Sequence, residues 1–485
     1  MKQEKELAKA LLVNKVFHYV SSRYATYIVQ FVNSVLVAAS LGPYYLGVWG
    51  FLTLVVQYCI QMNFGVAHSV NAILSVNKSG DYNKVISTAL WMVLGISVAF
   101  GGLFFSNWYW DLGFGVKYGF VQYSFFIFVV VVLDNFNKLF ANVFRVYGNV
   151  GLIAVTQSIW PAFMLIAILF FQGISLLQVL VFAYAVSYLI SFLLFVVHFP
   201  YRIDFKFHLP AFRLIQSRGF HLFIYNSSFY LIVISTKFFV STYYSVRDFG
   251  FFTFAFSFAQ AILLLLQSLS FLVYPKLLNR FSNLAGIKAF NLLQSIRDVY
   301  VGVAHLLIHL SILGFPFFVA FFVDFQGAIK VFNLVAVAVV LQTNSFGYQV
   351  FLVAKGYEKI LGVLAFLALC LNIVISFLIV EFLSIDFALV VLSTMITYFG
   401  YAVVIGFVGK TRMGLESSVW DVIVEIFPFR IIGPILISLV LSLIEVNALY
   451  YLLPLSLFVY SNFRLLLKSL LLFKRIVKDD SLIDL

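Results

Sequence analysis

The sequence predicts an all-α integral membrane protein of about fourteen transmembrane helices, and three observations carry that prediction. Of the 485 residues 63% are hydrophobic and 10% charged, with a mean hydropathy of +1.05; a water-facing surface of this size could not be built from that balance. Apolar stretches of about 20 residues recur along the chain, the length at which a helix crosses a hydrocarbon layer of about 30 Å, whereas barrel strands would need alternating segments about half as long. Finally, Lys and Arg gather on alternate loops.

The spans follow in order, each closed by polar residues, Gly or Pro. The first six are 17–41, ending at Gly42-Pro43; 48–75, ending at Asn77-Lys78; 86–106; 120–143, ending before Arg145; 152–171; and 178–198, ending at Pro200. The next six are 219–243; 250–274, closed by Pro275-Lys276; 299–323, opened by Arg297-Asp298; 330–353, closed by Lys355-Gly356; 360–380; and 386–408, closed by Lys410 and Arg412. The last two, 429–445 and 449–467, precede a basic tail that reads as part of the positive-inside signal, with a contact to anionic lipid as the alternative. Val37-Ala38-Ala39-Ser40 resembles a signal-cleavage site, but the run from Tyr24 to Leu41 is long for a signal core and a second span follows at once. It reads as a retained first helix.

Orientation follows from the basic residues, because cytoplasmic flanks keep positive charge during insertion. One set of alternate flanks holds 26 of the 31 Lys and Arg, and the other holds Lys117, Arg247 and Lys330. Arg23 and Lys237 fall inside spans. Both termini are therefore expected in the cytoplasm, and the net charge of +12 is an orientation signal that gives no reason to expect nucleic acid. No inward loop holds a phosphate-cradling Gly-rich motif ending in Lys and Ser/Thr, so energy would come from gradients. Cys59 and Cys370 sit singly in apolar surroundings and read as packing residues.

An internal repeat emerges once topology is drawn. Tyr45-Leu46-Gly47-Val48-Trp49-Gly50-Phe51, leading to Gln57, matches Asp248-Phe249-Gly250-Phe251-Phe252-Thr253-Phe254, leading to Gln260, at a constant offset of 203. Each block opens an even-numbered span, so the duplicated unit is six helices. The expected organisation is an N-terminal lobe over 1–201, a parallel C-terminal lobe over 202–408 and two extra helices with the tail over 409–485, the lobes flanking a central cleft.

Four motifs add a family resemblance: Leu41-Gly42-Pro43-Tyr44-Tyr45-Leu46-Gly47, Asn63-Phe64-Gly65, Tyr274-Pro275-Lys276 and Lys355-Gly356-Tyr357-Glu358-Lys359. In their order and spacing the chain resembles the polysaccharide-unit flippases, the O-antigen branch of the multidrug/oligosaccharidyl-lipid/polysaccharide exporter superfamily. The resemblance implies a non-enzymatic, cofactor-free protein of the bacterial inner membrane. It would carry an undecaprenyl-diphosphate-linked oligosaccharide to the periplasmic leaflet for surface polysaccharide synthesis, with H+ or Na+ coupling and a polysaccharide polymerase and chain-length regulator as partners. The thirteenth and fourteenth spans exceed the twelve typical of that branch.

Such a cargo brings a diphosphate and sugars into hydrocarbon, so the path needs cations and hydrogen-bonding groups. Arg23 and Lys237 are the intramembrane cations, and the resemblance supports Arg23 as a diphosphate contact; snorkelling to headgroups is the alternative for both. Gln57, Gln260, Asn33 and Asn226 suit sugar hydroxyls or, equally, interhelical hydrogen bonds. Asp134 either pairs with Lys138 at i,i+4 or forms an ion-coupling site. His305 and His309, also i,i+4, have no evident third ligand for a metal, and Trp49 and Trp160 are aromatic candidates for the cleft. A drug or cation antiporter of the same superfamily is the rival reading. A polysaccharide polymerase or ligase would need a larger outward loop than the chain has.

Overall fold

The computed structural model describes the backbone of residues 15–76, 82–201, 203–383 and 385–478. Side chains are described over the same ranges except at 15–28, 72, 75, 76, 150, 218, 219, 221, 222, 263, 265–273, 275, 276, 468 and 470–478. The described residues form helices and no strand. The α-helices are α1 (Lys15–Gln61), α2 (Val66–Val76), α3 (Tyr82–Trp110), α4 (Phe120–Tyr147), α5 (Val150–Phe170), α6 (Gly173–Val197), α7 (Leu209–Tyr243) and α8 (Val246–Asn283). They continue with α9 (Gly286–Val319), α10 (Ala328–Thr343), α11 (Tyr348–Ala354), α12 (Glu358–Phe382), α13 (Val391–Arg412), α14 (Val419–Ile426), α15 (Phe429–Leu443) and α16 (Leu452–Lys478).

Each of the fourteen expected spans falls on helix. Among the described residues, nine helices are long and apolar enough to cross a membrane, or eleven when two bent pairs each count as one span. The smaller number has structural causes. Helix α1 holds two expected spans on either side of Gly42, whose φ of 70° and ψ of 171° are non-helical. A glycine tolerates that geometry, and Pro43, lacking an N–H, suits the first turn of a new helix. Helices α8 and α16 run through residues outside the side-chain description.

Three of the four motifs read from sequence prove to be helix breaks; the fourth, Tyr274-Pro275-Lys276, expected to close the eighth span, lies inside α8, which runs on to Asn283. Asn63-Phe64-Gly65 interrupts the second span between α1 and α2: Phe64 and Gly65 take φ of 51° and 72°, and the Asn63 side chain accepts from the Gly65 amide at 2.8 Å. Asn suits this turn because its amide mimics a backbone group. Gly356, at φ 75°, ends α11: its own amide reaches Val353 O and that of Tyr357 reaches Leu352 O, the two bonds of a Schellman cap. The tenth span is broken, where α10 and α11 meet at 41°, and a 71° bend between α14 and α15 stands just before the thirteenth.

Packing separates the chain into two compact units, one of residues 33–253 and one of 254–485 with 1–32. In the first, the repeat becomes physical. A Cβ on Gly47 would overlap the Val246 carbonyl, one on Gly250 the Pro43 carbonyl and one on Gly50 the Thr253 side chain. Positions 43, 47 and 50 thus meet 246, 250 and 253, the positions 203 residues further on in the sequence repeat, with 47 against both 246 and 250, 43 against 250 and 50 against 253. Helices α1 and α8 cross there with their backbones nearly touching, which only glycine at these places permits. Lys117, an exception to the orientation rule, donates to the Thr242 and Tyr244 carbonyls at 2.9 and 2.7 Å, capping the C-terminus of α7.

In the second unit an aromatic stack joins α8, α9 and α10. The rings of Phe258 and Phe315 lie 5.1 Å apart, and those of Phe315 and Phe332 3.9 Å. Lys330, another exception, pairs with Asp386 at 3.2 Å and Glu445 at 2.8 Å. Both cations are anchored by protein partners, so their positions reflect packing at least as much as insertion.

Candidate functional site

The site residues expected from sequence divide between the two units. Arg23 lies outside the described side chains. Lys237, on α7, is 6% exposed, in a stretch of small hydroxylated neighbours: Ser235, Thr236 and Ser241 are also buried. An α-helix brings residues 7 and 11 apart onto one face, so Asn226, Tyr230 and Lys237 share a stripe of α7. Asn226 is exposed on it and Tyr230 half-buried. Helix α7 meets the second half of α1 through Ser227, which donates to Gln61 Oε1 at 3.2 Å, and through Phe238 against Tyr58. One turn before Gln61, the half-buried Gln57 keeps its Oε1 buried without a hydrogen-bond donor among the described residues.

Asn33 is buried and donates to the Pro161 carbonyl at 3.2 Å, fastening α1 to α5. This is the interhelical use weighed from sequence, and it occupies the amide nitrogen. Gln260, half-buried, belongs to the other unit.

Asp134 is 6% exposed and pairs with Lys138 at 3.1 Å, the i,i+4 geometry expected from their spacing. Beside it, Asn137 donates to the Tyr188 carbonyl at 3.0 Å, and the Tyr184 and Tyr188 rings lie 5.0 Å apart. Trp160 stands 4.5 Å from Tyr184 and 5.9 Å from Trp49. The two tryptophans therefore spend their faces on each other and on Tyr184.

Reading the sequence missed a buried charge cluster in the second unit. Glu425, on α14, accepts from Arg297 of α9, pairs with Lys410 of α13 and accepts from the Tyr348 hydroxyl of α11 at 2.6 Å. Arg297 and Lys410 are 4% and 7% exposed. In the sequence both stand at span ends, among the basic flanks. A buried carboxylate survives when more than one cation or donor satisfies it, and here four helices converge on one. The signal that could have found it was Glu425 itself, an acid within the apolar run Val419–Ile426.

A second polar seam lies in the same unit. His305 and His309 are essentially inaccessible. His305 Nε2 meets Asn344 Oδ1 at 2.9 Å, and Asn344 Nδ2 donates to the Ile426 carbonyl at 3.4 Å. Among the described residues no group of three His, Cys, Asp or Glu could hold a metal ion.

No family model matches the chain, and no characterised protein matches it in sequence. Solved structures do match. A lipid II flippase, MurJ, in an inward closed conformation superposes with a TM-score of 0.67 and 16% identity over 94% of this chain and 99% of its own. An inward-facing multidrug resistance MATE family transporter of the MOP superfamily gives 0.60 and 13% over 80% and 94%. An outward-facing structure of a MATE family transporter gives 0.52 and 14% over 84% and 96%. At such identities the likeness is one of fold. The chain is a multi-span helical membrane protein whose fold is like that of the solved MATE family transporters and of MurJ.

Proposed function

We propose that this chain is a flippase that moves an undecaprenyl-diphosphate-linked oligosaccharide from the cytoplasmic to the periplasmic leaflet of a bacterial inner membrane, for surface polysaccharide synthesis. The observation that carries the reading is coverage. The fold match to a lipid II flippase extends over 94% of the chain, against 80% and 84% for the two MATE family transporters. Two six-helix lobes over 1–201 and 202–408 would rock about the site, with 409–485 as an addition. Arg23 and Lys237 would hold the diphosphate, while Gln57, Gln260 and Asn226 offer hydrogen bonds to sugar hydroxyls. The antiporter reading is weaker because the one buried carboxylate of α4, Asp134, is already paired with Lys138.

A strain lacking the protein should accumulate the lipid-linked unit on the cytoplasmic face. Restoring it with Arg23→Ala or Lys237→Met should cut surface polysaccharide about tenfold or more, the scale of one charge-assisted contact of about 1.5–3 kcal/mol, with partial recovery for Arg23→Lys and Lys237→Arg. Normal polysaccharide in the deletion strain would refute the reading; normal polysaccharide in both neutral variants would remove the two cations from the path.

A further inference from the structure

We propose that His305 and His309 are a buried proton-binding site, loaded from one end of the second unit and emptied to the other. As a device for driving saccharide transport the site rests on the flippase reading; as a proton site it stands alone.

The argument begins with satisfaction. The imidazoles are 0% and 1% exposed, one helical turn apart on α9. Each uses one ring nitrogen: His305 Nε2 toward Asn344, and His309 Nδ1 toward Ser438 Oγ at 3.4 Å. The remaining nitrogens, His305 Nδ1 and His309 Nε2, are buried without a partner among the described residues. A packing histidine would be expected to satisfy both, because a buried unmet polar atom costs about 1–3 kcal/mol. The network also fixes a tautomer. Since Asn344 Nδ2 is committed to the Ile426 carbonyl, its Oδ1 is the acceptor and His305 Nε2 the donor. In neutral His305 the free lone pair is therefore on Nδ1, where an arriving proton binds to give an imidazolium with two N–H donors.

Position supplies the second argument. Polar groups continue from the pair in both directions. Toward the Lys/Arg-rich end, Asn344 leads to Ile426, the residue after Glu425, and so to the Arg297, Lys410 and Tyr348 cluster; Arg297 lies about 12 Å below His305 along α9. Toward the opposite end, Ser442 donates to the Ser438 carbonyl at 2.7 Å and meets Tyr451 OH at 3.0 Å, which accepts from Asn333 at 3.0 Å. Three residues before Asn333 stands Lys330, paired with Glu445 and Asp386.

The groups facing the pair from its neighbours are neutral: Asn344 after α10, Ser438 of α15, and Phe458 of α16, whose ring lies 6.0 Å from His305 and 5.2 Å from His309. Two titratable groups on those elements are engaged elsewhere. Tyr300, on α9, stacks on Phe346, and Arg430 of α15 pairs with Asp298. An added proton therefore meets no counter-charge in place, and relief must come from movement. Movement is available along the contact from His305: Asn344 sits in the break between α10 and α11, and Ile426, whose carbonyl accepts from Asn344, ends α14 at the 71° bend. Imidazole is also the one side chain whose ordinary titration falls between pH 5 and 8.

The test uses the full chain, 15N-histidine-labelled and reconstituted in lipid, followed by solid-state NMR from pH 5 to 8. At least one buried imidazole should gain a proton in that range, and its signal should vanish in His305→Gln or His309→Gln. Ser438→Ala keeps both rings and should shift the midpoint by about half a unit, the loss of one hydrogen bond; it serves if the Gln variants fail to fold. Neutral rings throughout, or a titration unmoved by all three changes, would overturn the site. The deletion strain judges the flippase reading separately: normal surface polysaccharide there, with a titrating pair, retires the cargo and leaves the proton site standing.

Discussion

Glu425 shows what a single residue decides. Its carboxylate is shared by Arg297, Lys410 and Tyr348 in a buried setting, so neutralising it removes the counter-charge of Lys410 and leaves Arg297 only Asp298, 3.9 Å away. Glu425→Gln should destabilise the protein by about 3–5 kcal/mol, the usual consequence of removing one partner from a buried ion pair, seen as a lowered Tm in detergent; an unchanged Tm would mean the cluster is hydrated. Asp204 is the contrasting case, in the loop after α6. Hydrogen bonds from Ser87, His208 and the Lys206 amide hold its carboxyl down to about 2. The sign follows from the depressed value. The contribution is full above the unfolded-state range near about 3.9 and is lost as pH falls through about 2. Proteolysis of this loop should therefore be flat from pH 8 to 5 and rise only in strong acid, whereas Asp204→Asn should raise it at neutral pH.

At the scale of elements, the close crossing of α1 and α8 depends on missing side chains. Gly47→Ala and Gly250→Ala each put a methyl group into a backbone carbonyl and should cost about 1–3 kcal/mol, as overpacking does. Gly95→Ala is the control. Open space surrounds that position on α3, and replacing a helical glycine there should stabilise by up to about 1 kcal/mol. Equal effects at the three positions, in thermal unfolding, would contradict the crossing. The sequence foretold this element in part. An offset of 203 showed that 47 and 250 correspond; that corresponding residues touch each other is a fact of the fold. Similarly, the spacing of His305 and His309 was plain, but Asn344 and Ser438 come from 39 and 129 residues away, and no local pattern announces such partners.

For the whole molecule, the distribution of basic residues makes a directional prediction. Cysteines placed at Gly113, before the fourth span, and at Gly414, after the twelfth, should react with an impermeant thiol reagent from the periplasm and the cytoplasm respectively. Both positions are open at left-handed turns, and Cys59 and Cys370, the native thiols, sit in helices. Labelling of both from one side would break the alternation on which fourteen spans and cytoplasmic termini rest. Lys117 and Lys330 limit that inference, since their partners explain their placement without reference to the membrane.

The sequence alone determined that the chain is helical and membrane-spanning, where its spans fall and which flanks are basic, because the transfer of a segment into lipid is a sum over neighbouring residues. It also marked Gly42, Asn63-Phe64-Gly65 and Gly356 as special, because a helix stops for local reasons. Only the tertiary structure decided which polar groups are spent and which remain. Asn33 is taken by Pro161, Trp49 by Trp160, and Arg297 and Lys410 by Glu425. In a low-dielectric interior each polar group must find a partner, and that choice depends on which helices the fold sets side by side.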